Sequence, residues 1–228
     1  MAKAVRSFSD VKDVILSCHK DATPEDKMGF YDKWADNYEQ DVAILDYRAP
    51  GLAADALAAG FQGDRENAVV LDVACGTGLV ASRLQTLGFR RFVGVDGSEA
   101  MLRQARDRGL YQELLQCMLG SEELPVPVET YNAVLIVGAL SVGQVPLTVI
   151  KDLWKATKPG GYVCMTTRGN TSNKGFKDQL ECLLKKMETE GLWTAVSVTE
   201  VQAWERAVSD EEAGYIPGAV YLYRKTAL

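Results

Sequence analysis

The sequence predicts an α/β protein built on a doubly wound, seven-stranded sheet with N-terminal helices. Two observations carry this prediction. From residue 68 onward, apolar runs of strand length alternate with segments of helical period. A glycine turn at 76–78 also follows the first of these runs directly. Five strands are expected to run parallel through right-handed crossovers, and the last two to form an antiparallel C-terminal hairpin.

The composition favours one globular domain and excludes several classes of function. The chain has 228 residues, and 47% of them are hydrophobic, which is enough for a full core in one domain. Its net charge of −6 offers no field for a long nucleic acid, so DNA and long RNA are not expected partners. We expect a monomer.

The apolar runs are too short to cross a membrane, and the N-terminus lacks the apolar core of a signal peptide. We therefore expect a cytoplasmic protein, with a nuclear location left open.

The cysteines and the single histidine narrow the chemistry further. Five cysteines, an odd number, are scattered without the close pairs of zinc sites or redox dithiols, so buried thiols are expected. His19 stands alone in a polar stretch, which argues against a metal site and against Ser-His or Cys-His catalysis. No metal site is predicted.

Residues 1–67 are predicted to be helical and to cover the ligand site as part of the same domain as 68–228. Val11, Val14, Ile15 and Cys18 recur at helical spacing. Thr23 before a proline marks a second helix start. A third helix is expected at 50–59, before a polar turn at 60–67.

The alternating part gives five strands and four helices in order. The strands are predicted at 68–73, 91–96, 114–118, 133–137 and 162–167, and the hairpin strands at 192–201 and 219–224. Helices are predicted at 79–87 and 99–108, from Pro146 up to the turn at 158–161, and from Phe176 to Gly191. An acidic turn at 209–214 should join the hairpin.

The strongest local signal is the turn after the first strand. Asp72, Ala74, Gly76 and Gly78 alternate there, and glycine lets the backbone approach a ligand at the carboxyl edge of the sheet. Asp96 ends the second strand, where its carboxylate can accept hydrogen bonds from both hydroxyls of an adenosine ribose.

The turn also bears on the choice of cofactor. A turn that binds the pyrophosphate of a dinucleotide has the sequence pattern G-x-G-x-x-G, and this turn lacks that pattern. An acid before the turn would repel phosphate, whereas it can receive the ammonium of an amino-acid moiety directly or through water. Nicotinamide and flavin cofactors are therefore disfavoured, without being excluded.

These residues resemble motif I of the class I S-adenosylmethionine-dependent methyltransferases, with Ala74 in place of the first glycine. The segment 96–101 resembles the second motif, whose acid binds ribose and whose methionine, here Met101, packs on adenine. Segments 122–125 and 158–161 resemble two later turns of the family. The resemblance covers about residues 28–225, and the whole chain is most similar to one vertebrate member through 31–41, 46–50 and 138–143. It implies a Rossmann-like methyltransferase fold.

The resemblance implies S-adenosyl-L-methionine as cofactor and S-adenosyl-L-homocysteine as product. Where many relatives have an acid beside adenine, this chain has Gly120-Ser121, so the acceptor for the adenine amino group stays open. The predicted cofactor-binding residues are Tyr31, Trp34, Tyr38, Asp72, Ala74, Cys75, Gly76, Gly78, Leu79, Asp96, Gly97, Ser98, Met101, Ser121, Glu122 and Val137.

Several of these residues have a purely structural alternative. Tyr31, Trp34 and Tyr38 share one helical face, which either packs on the sheet or covers the sulfonium. Arg48 either binds the methionine carboxylate or is solvated. For Cys75, the structural alternative is favoured: it is only a small side chain that the turn tolerates.

The function expected from the sequence is in-line methyl transfer to a small-molecule or protein nucleophile of unknown identity. Alignment and exclusion of water are the main requirements of that reaction, and no residue is singled out as a catalytic base. The alternative is a catalytically silent cofactor-binding module that acts as a partner or adaptor. The motif for methylation of adenine or glutamine amino groups is missing after the fourth strand, which disfavours those substrates.

Overall fold

A computed structural model of the chain describes residues 6–17, 23–209 and 212–227. It contains one seven-stranded sheet of order β3-β2-β1-β4-β5-β7-β6. The first five strands run parallel, and β7 is antiparallel to both β5 and β6, so the predicted doubly wound fold is confirmed. The strands are β1 (Val69–Val73), β2 (Arg91–Asp96), β3 (Tyr111–Gln116), β4 (Tyr131–Leu140), β5 (Thr157–Arg168), β6 (Trp193–Arg206) and β7 (Tyr215–Lys225).

Seven α-helices flank this sheet in the part of the chain that the structure describes. They are α1 (Phe8–Ser17), α2 (Pro24–Ile44), α3 (Ala49–Gly60), α4 (Leu79–Thr86), α5 (Glu99–Asp107), α6 (Val149–Ala156) and α7 (Lys174–Thr189). The start of α2 is the one predicted, because the Thr23 hydroxyl and the Asp26 carboxylate satisfy each other's backbone N–H groups in a capping box.

The central strands are buried on both faces. Leu71, Val134 and Ile136 belong to the apolar cluster on one side of the sheet, and Val70 and Leu135 to the cluster on the other. Continuous apolar runs are what such doubly covered strands require, and for this reason β1 and β4 were recognisable from sequence.

The third strand begins three residues before the predicted range of 114–118. It spans Tyr111–Gln116, and its pairing with β2 begins at Phe92↔Tyr111. The Gln112 side chain accepts a hydrogen bond from the Phe92 N–H, which takes up a register shift at that point. As an edge strand, β3 is only half buried and lacks the apolar pattern on which the prediction depended.

Other boundaries also differ from the prediction. Pro146 lies in a turn and α6 begins at Val149, while 158–161, predicted as a turn, forms the start of β5. The predicted polar turn at 60–67 and the antiparallel pair of β6 and β7 are present. Strand β7 is longer than predicted at both ends, whereas β6 begins one residue later, at Trp193, and extends to Arg206. The turn predicted at 209–214 lies partly outside the described residues.

The thiols are not uniformly buried. Cys75, Cys117 and Cys164 are buried, as expected. Cys182 is exposed on α7, so the prediction of a buried thiol is wrong for this residue. Cys18 and His19 lie outside the described residues. Within the described part, no helix is long and apolar enough to cross a membrane.

The N-terminal helices are fastened to the sheet domain at specific points. Asp32 on α2 accepts hydrogen bonds from the Ser98 hydroxyl at 2.6 Å and from the Ala100 N–H at 3.1 Å. Glu39 forms an ion pair with Arg108 at the end of α5. These contacts hold α2 over the carboxyl edge of the sheet.

Candidate functional site

The turn after β1 folds back on itself through three residues of positive φ. Ala74, Gly76 and Gly78 have φ angles of 57°, 53° and 89°. A Cβ atom at Gly76 would meet no atom within 4 Å, so this glycine opens on free space. At Gly78, a Cβ would press on Arg108 and Tyr111 at 3.1 Å. Gly76 thus allows a ligand to approach, and Gly78 allows the protein's own packing.

Asp96 stands where β2 ends and links the turn to α5. Its Oδ2 accepts a hydrogen bond from the Gly76 N–H at 2.8 Å, and its Oδ1 accepts one from the Ser98 N–H at 2.9 Å. Burial raises the pKa of this carboxyl, and the backbone N–H groups offset part of that rise. Each carboxylate oxygen has a further lone pair, so Asp96 can still accept hydrogen bonds from a ligand.

Asp72 lies deeper, below the turn. Its exposed fraction is 1%, and its Oδ2 accepts a hydrogen bond from the Tyr111 hydroxyl at 2.7 Å. Its Oδ1 is buried and has no hydrogen-bond partner among the described residues. Burial raises the pKa of this carboxyl to about 7, although the Tyr111 hydrogen bond opposes the rise.

A cavity of about 320 Å³ lies at the carboxyl ends of β1, β2 and β4, beside this turn. Nine of the sixteen predicted residues line this first cavity: Tyr31, Tyr38, Ala74, Gly76, Asp96, Gly97, Met101, Ser121 and Val137. The other lining residues are not among the sixteen predicted to bind the cofactor: Lys27, Met28, Met118, Leu119, Gly120, Gly138, Ala139, Gln144, Val145 and Pro146. Two of them carried a signal in the sequence: Gly120, in the segment expected beside adenine, and Gly138, as a glycine near the end of a parallel strand.

The seven remaining predicted residues are not among those that line the first cavity: Trp34, Asp72, Cys75, Gly78, Leu79, Ser98 and Glu122. Several of them support it. The Ser98 side chain caps the start of α5 by accepting the Met101 N–H. Glu122 accepts a hydrogen bond from the Met118 N–H at 2.7 Å, which closes the loop after β3.

A second cavity, of about 440 Å³, adjoins the first. Four residues line both: Tyr31, Tyr38, Gly138 and Gln144. The second cavity extends between α1, α2 and the ends of β5, β6 and β7, and Trp34 lines it rather than the first. The aromatic face of α2 therefore lines the two cavities, and Trp34 is partly buried there. That these rings cover a sulfonium stays a prediction.

Gly138 marks the junction of the two cavities. Its φ is +76°, and a Cβ atom here would collide with the Tyr47 hydroxyl. Its N–H donates a hydrogen bond to the Thr166 hydroxyl at 2.9 Å, which fixes the end of β4 against β5. Burial raises the pKa of both Tyr38 and Tyr47, so the two phenols beside the junction are neutral hydroxyl groups.

The Arg48 side chain does not reach either cavity. Its Nη1 donates a hydrogen bond to the Ala203 carbonyl at 3.0 Å, and its backbone N–H donates to the Trp204 carbonyl. Arg48 thus joins α3 to β6, which is a structural role.

Comparisons with known proteins agree with the fold and the turn. Residues 70–161 match the model of a methyltransferase domain. Methyltransferase-like protein 27 of Homo sapiens is 51% identical over 187 residues, which cover 82% of this chain and 76% of that protein. A tRNA U34 carboxymethyltransferase of Shewanella baltica is 32% identical over 45% of this chain and 32% of its own.

Among solved structures, a SAM-dependent methyltransferase of Thermotoga maritima superposes with a TM-score of 0.57. The match covers 86% of this chain and 98% of that one at 19% identity. At that identity it bears on the fold alone.

Proposed function

This chain belongs to the class I S-adenosylmethionine-dependent methyltransferases, and from that premise we propose that its first cavity holds the cofactor and its second a small-molecule methyl acceptor. The observation that carries the proposal is that the two cavities meet at one place, beside Gly138. A methyl donor and an acceptor must be held in contact, and a shared wall of four residues provides such a place.

The residues of the first cavity suit S-adenosylmethionine. Asp96 offers acceptor oxygens for the ribose hydroxyls, and Gly76 leaves room for a ligand against the backbone. Met101 gives an apolar wall where adenine would lie. The cofactor supplies a methyl group on positively charged sulfur, and the rings of Tyr31 and Tyr38 can face that charge.

The adenine amino group has new candidates for its acceptor. Ser121 lines the first cavity, as do Met118, Leu119 and Gly120. Backbone carbonyls of this segment or the Ser121 hydroxyl would serve.

Asp72 would act on the cofactor from beneath the turn. Because it does not line the cavity, contact with the ammonium group through water, or through its effect on the turn, is favoured over direct contact. Its Oδ1 is buried and has no hydrogen-bond partner among the residues that the structure describes, so a water held there would link Asp72 to the ammonium group.

We favour a small molecule over a protein side chain because of the way the second cavity is walled. Its lining comes from Ile15 and Leu16 of α1, Trp34 of α2, and Arg168 and Glu205 at the ends of two strands, which makes it a concave space of small-molecule size. The chain's tasks are then to orient the acceptor, to keep out water and to place its nucleophile beside Gly138. Neutral Tyr38 and Tyr47 can donate hydrogen bonds to the acceptor but are poor proton acceptors.

The comparisons give no support to a catalytically silent module. We also propose, as the sequence predicts, that this chain acts as a monomer in the cytoplasm or nucleus. Its acidic charge balance argues against a long nucleic acid as a partner.

Two measurements test the proposal. Calorimetric titration should show binding of S-adenosylmethionine and S-adenosylhomocysteine, and none of NAD or NADP. Incubation with methyl-labelled cofactor and cell extract should then place the label in the small-molecule fraction after size separation. Preference for NAD would refute the cofactor site, and label recovered only in protein would refute the acceptor class.

A further inference from the structure

The second cavity contains one ion pair whose position needs an explanation. Arg168, the last residue of β5, has its Nε 2.9 Å from Oε1 of Glu205 on β6. Glu205 is 5% exposed, whereas the Arg168 side chain keeps 41% of its surface exposed and lines the second cavity. Five aromatic side chains also line this cavity, together with several polar ones: Phe30, Tyr31, Trp34, Tyr38 and Tyr47 are the aromatic ones. A buried carboxylate such as Glu205 is costly to hold, and a binding role for its partner Arg168 would explain the pair.

The chain reaches this geometry through an irregular strand. The register of β6 on β7 shifts between Val201 and Glu205, and Trp204 and Glu205 are both buried although they are neighbours. The Trp204 ring lies across Gly218, where a Cβ atom would collide with it. Bulges of this kind re-aim side chains near ligand sites, and here the bulge turns Glu205 towards Arg168.

The backbone of Arg168 is also fixed. The Asn173 side chain donates hydrogen bonds to the Arg168 carbonyl at 2.7 Å and to the Thr167 hydroxyl at 3.0 Å, and it accepts one from the Val142 N–H. The end of β5 is thus tied to the turn after β4, which borders the junction.

The outer edge of the guanidinium is left open. Glu205 takes the Nε side, and within the described residues no group accepts a hydrogen bond from Nη1 or Nη2. A guanidinium has five N–H donors in a flat fork that matches the two oxygens of a carboxylate.

We propose that Arg168 anchors the carboxylate of a small monocarboxylate acceptor, and that the group to be methylated lies at the other end of that molecule, beside Gly138. This inference rests on the proposed function of the second cavity. Trp34, Tyr38 and Tyr47 line the space between these ends and suit an apolar or aromatic body.

The spacing sets the size of the acceptor. The Gly138 N–H bonds to Thr166, which precedes Arg168 by two residues on β5. At about 3.3 Å per residue, the backbone of Arg168 lies about 7 Å along the strand from Thr166, so the acceptor must extend beyond a single functional group. A carboxylate held by both Nη groups is kept away from the junction, so the nucleophile is a second group of the same small molecule.

Charge favours a monoanion over a phosphate. The charged side chains that line the second cavity, Arg168 and Arg206 against Glu205 and Glu212, are neutral as a whole, and the cofactor brings a single positive charge on sulfur. A carboxylate balances that charge, whereas a phosphate dianion would leave excess negative charge in a partly buried space.

The test uses three probes on the protein saturated with S-adenosylhomocysteine: phenylacetate, its neutral isostere phenylacetamide, and phenyl phosphate. The wild-type protein should bind phenylacetate at least about tenfold more tightly than either of the others, as a charge-assisted pair requires. Arg168→Gln should abolish the preference over phenylacetamide, and Arg168→Lys, which keeps the charge without the fork, should reduce it. Arg91→Gln, an exposed change on β2, is the matched control and should retain it.

Equal binding of the carboxylate and the amide by wild type, no binding of phenylacetate at millimolar concentration, or a preference that survives Arg168→Gln would each overturn the inference. Arg168→Lys carries the test if Arg168→Gln does not fold, as judged by circular dichroism. Binding of S-adenosylhomocysteine is measured first in each variant. If the wild-type protein does not bind S-adenosylhomocysteine, the proposed function itself is refuted. If it binds S-adenosylhomocysteine but shows no preference for the carboxylate probe, only the role of Arg168 as an anchor is refuted.

Discussion

The buried carboxylate of Asp72 should make the stability of this protein depend on pH in a way that one substitution removes. Its pKa rises from an ordinary 3.8 to about 7, because burial disfavours the ionised form and the nearby charge of Asp96 adds to that effect. At about 1.36 kcal/mol per pKa unit, this difference corresponds to about 4 kcal/mol. The group is fully buried, so solvent screening does not reduce that figure.

The sign follows from which state keeps the proton. Between about pH 4 and pH 7, the folded protein retains a proton on Asp72 that the unfolded chain has lost. The free energy of unfolding therefore falls as pH rises through this window, by up to about 4 kcal/mol, and the loss is complete above about pH 7. Below the window, Asp72 is protonated in both states, so its ionisation does not change the free energy of unfolding.

Asp72→Asn cannot ionise and should lose this contribution. Urea unfolding followed by circular dichroism, at several values between about pH 4.5 and pH 8, gives the difference in unfolding free energy between variant and wild type. That difference should shift in favour of Asp72→Asn as pH rises, by a few kcal/mol in all. Asp107→Asn, an exposed change on α5, is the control and should show a constant difference. A difference for Asp72→Asn that does not change with pH would refute the assignment.

Three further predictions concern the cavities and their supports. Ser98→Ala removes both the cap of α5 and the hydrogen bond to Asp32, and should lower the unfolding free energy by about 1–2 kcal/mol in urea titrations; a loss below a few tenths would contradict the cap. Asp96→Ala should weaken S-adenosylhomocysteine binding by about 1.5–3 kcal/mol in calorimetry, and unchanged affinity would refute the placement of the ribose. Gly138→Ala should lower the melting temperature, because its Cβ would collide with Tyr47 at a positive φ, and adding Tyr47→Phe should restore part of the loss; no recovery would assign the whole cost to the backbone.

Much of the cofactor site was predictable because it is local in sequence. The turn at 74–78 and Asp96 lie directly after buried strands, and parallel strands bring such ends to one edge of the sheet. Residues that support the site were predicted as if they touched the ligand, since spacing along the chain does not distinguish Ser98, which caps a helix, from Met101, which lines the cavity.

The residues of the second cavity could not be predicted, because they are distant from one another in the sequence. Arg168 and Glu205 are 37 positions apart in the chain and form an ion pair. Their strands, β5 and β6, both pair with β7, and β6 has a bulge before Glu205, which together bring the two side chains into contact. No periodicity or motif marks such a pair. The sequence by itself determined the fold class, the family and the cofactor turn, since these depend on local backbone preferences and on which strands are apolar. Only the tertiary structure decided which side chains meet in the second cavity, because that depends on register, bulges and packing between distant segments.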